Sequence, residues 1–509
     1  MIDPLRPNLA SQAALAQGWA ARLSSAVSNA RVAAAPTPSV RFTVSDGTLP
    51  DDPTYAGALS DPAKTYSNDA LTALLDRNAD AATASGQFAS LGKALLTRFG
   101  ADGGDVSLAT TPPAATDGLA PVHSGPDSDA SLSIRTTSGV TVKVTLHHGD
   151  DGLSVAMKSD GALGDDDRQA VSKLAGAFQD ALDGLGSSPP RLALDGLMGN
   201  DPRLASVDFD AKVDDGQGKP QTIAFHAGSD ARSLQVDGPS GTLNLGIDMS
   251  SPALWGNQQQ RQTSIANYLA QIDDAAQRGH GDASLIATFK DAFGQMNSNY
   301  PPTPDVSAGG PHVSQGDHAA LTGLADFTAS LSQATSAPNP LRSNELDTFS
   351  YDLAQQSRLG GLNDASRTID QHQSSHLKAS YHQALSADAT LQLTEDPNSQ
   401  NYLYRLIDDS ASSDTHIAYD KGKLAQASVT RTASQSTHDM KYVLNRLVED
   451  TTTPSTRSRT DDLRALITPA LLGNGRSGFS PAALARAHAD IALTSEPYLL
   501  GPASPGASP

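Results

Sequence analysis

Hydrophobic residues recur along this chain with two periods, and the changes of period mark its elements. Leu132 and Ile134, then Val140, Val142, Val144 and Leu146, then Leu153, Val155 and Met157 alternate with polar neighbours. A period of two sends successive side chains to opposite faces, so these runs predict three antiparallel strands with one buried face. Ser138-Gly139 and Gly149-Asp150-Asp151-Gly152 supply turns between them. From 165 to 185 the period lengthens. Val171, Leu174, Ala175, Phe178, Leu182 and Leu185 fall on one side of a helix that starts at Asp165-Asp166-Asp167 and stops at Gly184 and Gly186. Alternation returns at Val207 to Val213, Ile223 and Phe225, Leu234 and Val236, and Leu243 to Met249. Residues 131–250 therefore predict a βββ-α-ββββ module whose helix covers the apolar face of its sheet.

The same reading divides the rest of the chain. Leu9, Ala13, Ala16, Ala20, Leu23 and Val27 predict an amphipathic helix over 1–34, and 35–66 is a Pro/Gly/Asp-rich connector. A helical segment follows over 67–100, interrupted at Asn78 and with either a kink or a break into two helices at Gly86, then a disordered linker over 101–130. Helices are predicted over 251–299, a linker over 300–317, and a helix near 318–333 with a connector to 342. Residues 343–450 turn back to strands, at Phe349 to Leu353, Leu377 to Leu385, Leu391 and Leu393, Tyr402 and Tyr404, Ile417 and Tyr419, and Ala425 to Val429. Their neighbours are mostly Ser, Thr, Gln, Asp and His, which predicts a polar outer face. Met440 to Val448 fits either period. Two helices, about 460–468 and 480–493, fill 451–495, and 496–509 is a disordered tail. The expected fold class is α+β and multidomain, with antiparallel sheet modules, covering helices and flexible linkers. A doubly wound sheet would need strands alternating with helices.

Composition narrows the function. Lys and Arg number 36 against 56 Asp and Glu, a net charge of −20, and there is no cysteine. Disulfides, thiolate zinc sites, iron–sulfur clusters and cysteine nucleophiles are excluded. The acidic balance argues against a nucleic-acid partner, which needs a basic face. No stretch approaches the ~20 apolar residues of a membrane span. The first residues carry no uninterrupted apolar core, so a cleaved secretory signal is not expected. Cytoplasmic residence is the default, and export without a signal peptide is the alternative.

Candidate chemistry concentrates at His372, His376 and His382, beside Asp370. Imidazoles four apart share one face of a helix, a familiar zinc spacing. Here Leu377, Ala379 and Tyr381 alternate, so the segment reads as a strand with His376, Lys378 and His382 on its polar side. Asp370 and His372 join them if the strand is continuous. A same-face metal site is then conceivable, although Lys378 opposes it, and a solvated face is the simpler reading. His147 and His148 are adjacent and face opposite ways, so they cannot chelate together. Gly473-Asn474-Gly475-Arg476-Ser477-Gly478 matches a dinucleotide fingerprint without the strand that must precede it. Asp208, Asp210, Asp214 and Asp215 gather near a hairpin but lack the terminal Glu of a calcium loop. No catalytic residue and no cofactor are assigned.

Residues 346–388, centred on FSYDLAQQSRLGGLNDASRTIDQHQSSHLKASYHQAL, resemble segments of uncharacterised proteobacterial proteins, some of them labelled lactate dehydrogenase. The LGDDDRQAVSKLAGAFQDALDGL stretch extends the resemblance. It implies no site residues, and the label presupposes a nucleotide-binding unit that the order of elements lacks. The expectation is a bacterial multidomain binding or interaction protein, with a protein as its partner. Its rivals are a hydrolase or metal-dependent enzyme built on His372/His376/His382, and a substrate or effector of a bacterial export system.

Overall fold

The computed structural model describes residues 62–110, 125–187, 189–198, 201–214, 216, 218–301, 311–386, 388–472 and 488–501. The helix expected over 1–34, nearly all of the connector that follows it, the Gly473–Gly478 loop and most of the helix expected over 480–493 lie outside them.

The α+β class holds: helices pack on an antiparallel sheet of fourteen strands. The strands are β1 (Val106–Ala109), β2 (Asp127–Thr136), β3 (Thr141–Gly149), β4 (Gly152–Ser159), β5 (Leu204–Asp214), β6 (Gln221–Gly228), β7 (Ala231–Gly238) and β8 (Gly241–Asp248). Then come β9 (Asp326–Gln333), β10 (Thr348–Gly360), β11 (Thr368–Ala384), β12 (Tyr402–Asp420), β13 (Lys423–Val443) and β14 (Arg446–Asp462). Their order across the sheet is β1-β4-β3-β2-β5 and then sequential to β14. The two strand-rich stretches thus lie in one sheet, joined where β8 pairs with β9 from Gly241↔Gln333 to Asp248↔Asp326.

Helices cover one face. They are α1 (Pro62–Asn78), the single turn α2 (Ala84–Gln87), α3 (Leu91–Asp102), α4 (Asp165–Ser172), α5 (Ala175–Asp183), α6 (Gln258–Gly279), α7 (Ala283–Ser298), α8 (Gln315–Ala319) and α9 (Arg464–Leu472). One apolar cluster runs beneath most of them from Leu71, through Phe178 and Phe209, to Tyr381 and Leu493, and a second, with Leu321, Ile369, Ile417, Val429 and Ile467, lies by α8 and α9. Close packing depends on Gly92 of α3, where a Cβ would stand 2.7 Å from Leu182 and 2.8 Å from Phe178 of α5. Side chains of opposite parity on the strands stay half-exposed or exposed, so the other face is open over most of its extent among the described residues.

Several expectations change. The helix expected at 318–333 is α8 followed by strand β9, because Phe327, Ala329 and Leu331 alternate into the core between β8 and β10. The linker over 101–130 contains β1, which adds to the sheet edge beside β4, and the start of β2. Residues 62–66 are already helical. The 67–100 segment breaks at 79–83 and again at 88–90, where Ser90 has positive φ, while Gly86 lies inside the single turn α2; Asn78 Nδ2 binds the carbonyls of Gln87 and Ala89 at 3.2 and 2.8 Å. Leu391 and Leu393 form no strand; they pack against Tyr402, Tyr404 and Tyr442. Met440 to Val448 is strand, the end of β13 and the start of β14, joined by a turn at Leu444 and Asn445, both at positive φ. The helix expected at 460 begins only at Arg464, because β14 continues to Asp462.

Candidate functional site

Strand β11 sets the fate of the histidine cluster. Its alternation places Asp370, His372, His376 and Lys378 on the open face, as the spacing predicts. Asp370, His372 and His376 each find a partner on the neighbouring strand. His372 Nδ1 meets Asp414 at 2.6 Å, His376 Nε2 meets Asp408 at 2.8 Å, and Asp370 accepts from His416 Nδ1 at 2.5 Å. His382 shares the parity but is covered by the preceding loop, with Nδ1 at 2.6 Å from Asp347 and Nε2 at 3.2 Å from Glu345. Burial works to lower the His382 pKa, and the two carboxylates outweigh it, so the imidazole sits above its ordinary value. Among the described residues no three His, Asp or Glu side chains are gathered as a metal would need. The four candidates are divided among pairs.

The pairing is a property of the whole face. Six imidazole–carboxylate pairs stand on it: His147–Asp129, His226–Asp208, His372–Asp414, His416–Asp370, His376–Asp408 and His438–Asp450. Asp129 above all, with Asp151 adding to it, raises His147 to about 9 against the cost of burial. His226 is raised chiefly by Asp208. The adjacent His148 points the other way, buried, with Nε2 at 2.9 Å from the Ala79 carbonyl. Between β13 and β14 the face continues as hydroxyl pairs, Thr430–Thr460, Thr432–Ser458 and Ser434–Thr456, at 2.8–3.0 Å. Such cross-strand pairs contribute roughly 0.2–1 kcal/mol each, enough to hold register on a face with no apolar packing.

The covered face carries a second feature that spacing did not indicate. Asp274, Gln277, Arg278, His280, Tyr381, Gln383, Arg405 and Glu496 line a polar cleft of about 300 Å³. The end of α6, strands β11 and β12 and the C-terminal segment meet there. Arg278 is committed to Asp409, through Nε and through Nη2 at 3.1 Å, and to Thr437 at 3.0 Å. Arg405 holds Asp439 with two bonds of 2.7 and 2.9 Å. His280 stacks on Tyr381 with centroids 3.9 Å apart, and burial and Arg405 lower its pKa. Glu496 accepts from Gln435 at 3.2 Å. Burial, Glu496 and Asp273 raise the Asp274 carboxyl. Asp274 and Glu496 are 222 positions apart, so no local motif could have joined them.

Nearby, Tyr268 donates within a buried network of Gln355 and Gln373 at 3.0–3.1 Å. His488 lies against it with neither ring nitrogen hydrogen-bonded among the described residues, and burial lowers it to about 4. No helix among the described residues is long and apolar enough to cross a membrane. No protein family, curated protein or solved structure matches the chain.

Proposed function

We propose that this chain is a bacterial binding protein whose partner docks on the open face of the sheet. One observation carries the reading: among the described residues a fourteen-stranded sheet leaves one face largely uncovered and fills it with paired imidazoles, carboxylates and hydroxyls. Other carboxylates on that face, Asp210 and Asp352, stand outside the imidazole pairs, and burial raises both. A carboxyl raised in this way gains from a cation placed beside it, so the partner expected is a protein with a basic surface. The geometry supports a binding role better than a metal-dependent one, because the His372, His376 and His382 imidazoles are each engaged by separate carboxylates.

A photo-cross-linking residue at Ser374, Ser412 or Thr432, in cells that make the protein, tests this. Discrete adducts are expected from these positions, and Asp370→Lys/Asp414→Lys should abolish them. Equal adducts from Gln262 on the outer side of α6, or adducts unchanged by the charge reversal, would overturn the reading.

A further inference from the structure

Away from the open face, the cleft at the end of α6 has a charge arrangement that calls for a ligand of one sign. Its two guanidinium groups are spoken for: Arg278 by Asp409, and Arg405 by the two oxygens of Asp439. Burial and the nearby Arg405 lower the pKa of its imidazole, His280, and so favour the uncharged form. What remains is a pair of carboxylates, Asp274 and Glu496, that both line the cleft, one on α6 and one on the C-terminal segment. Neither forms an ion pair among the described residues; Glu496 takes only the Gln435 amide, and the nearby Asp273 is bound to Lys290 at 2.6 Å. Burial first, then Glu496 and Asp273, raise the Asp274 carboxyl, so a cation placed beside it is favoured. The cavity, about 300 Å³ and lined almost wholly by polar side chains, has room for a short chain bearing one or two cationic groups.

We propose that this cleft binds an organic cation, an ammonium or guanidinium group, between Asp274 and Glu496. The Tyr381–His280 stack forms one wall, beside which the alkyl stem of such a ligand would lie. The cation could be a free amine or a Lys or Arg side chain of a peptide; the chemistry recognised is the same.

The test is calorimetric titration of the full chain with agmatine, with spermidine and with a Gly-Arg-Gly peptide amide. Asp274→Asn/Glu496→Gln is titrated in parallel, with its melting temperature as a control for folding. Saturable uptake is expected, weakened roughly tenfold in the double variant, about the combined effect of two solvent-exposed ion pairs. Uptake should also fall as pH drops through the raised Asp274 range, because protonation removes one of the two anionic contacts. Tighter binding of the peptide than of agmatine assigns the site to a side chain, and the reverse assigns it to a free amine. No saturable uptake at millimolar cation, or equal affinity in a folded double variant, would overturn the proposal.

Discussion

Asp317 shows how much one buried carboxylate can organise. It is fully buried and closes a capping box with Ser314 at the start of α8. One oxygen receives Nε and Nη2 of Arg367 at 3.0 and 2.8 Å, and the other receives the Tyr419 hydroxyl at 2.7 Å. The Arg367 guanidinium lies 3.5 Å from the Tyr419 ring centre, so helix, loop and strand meet at one charge. Removing that charge leaves a buried arginine without its counter-ion, which typically costs about 3–5 kcal/mol. Asp317→Asn is expected to lower stability by that amount in urea denaturation, and a loss below about 1 kcal/mol would mean that the loop rearranges to free Arg367. The local pattern marks only part of this arrangement. Ser314 and Asp317 sit at capping-box spacing, but Arg367 and Tyr419 are distant in sequence and only the fold assembles them.

Strands with aliphatic inner faces were legible, and strands with polar inner faces were not. β2 to β8 bury Leu132, Val144, Phe209, Ile223 and their like, and the alternation locates each of them closely. β11 begins at Thr368, well before the predicted Leu377, because its inward positions include Gln371, Gln373 and Ser375. Those side chains are satisfied by groups remote in sequence, Gln373 by the Ile491 carbonyl at 2.9 Å, so hydrophobicity understates the strand. β9 misled for the opposite reason, since Leu321, Leu324, Phe327 and Leu331 also fit a helix and pairing with β8 and β10 decides the matter. The last strand carries its own safeguard. Ser436 of β13 gives its N–H to Asp409 on the β12 side, so Pro454, directly opposite on β14, has the position of its missing N–H facing outward. Proline there removes a donor from the middle of an otherwise exposed edge. Pro454→Thr is expected to promote concentration-dependent self-association in analytical ultracentrifugation while leaving the melting temperature nearly unchanged. A variant that stays monomeric across the same range would show that the charges on β14 suffice.

On the scale of the molecule, composition and period conveyed the class and most elements, yet suggested separate modules where one sheet runs through. The information that joins them is the β8–β9 ladder, whose partners lie more than 75 positions apart and share no pattern beyond alternation. The same ladder makes the 131–250 module a poor fragment. Cutting after Ser250 removes β9 from the edge of β8, together with α7, which packs on that strand, and uncovers Leu243, Leu245 and Ile247. A 62–250 fragment is therefore expected to aggregate in light scattering at concentrations where the full chain does not; a monomeric, cooperatively melting fragment would establish that the first eight strands fold independently.

From β9 to β14 each strand's neighbour in the sheet is also its neighbour in the chain. Such a meander can be assembled vectorially: each new strand needs only its predecessor as a template, and loop-closure entropy stays small at every step. A strand order of this kind lets each of these strands add to the one before it in the order in which the chain is made.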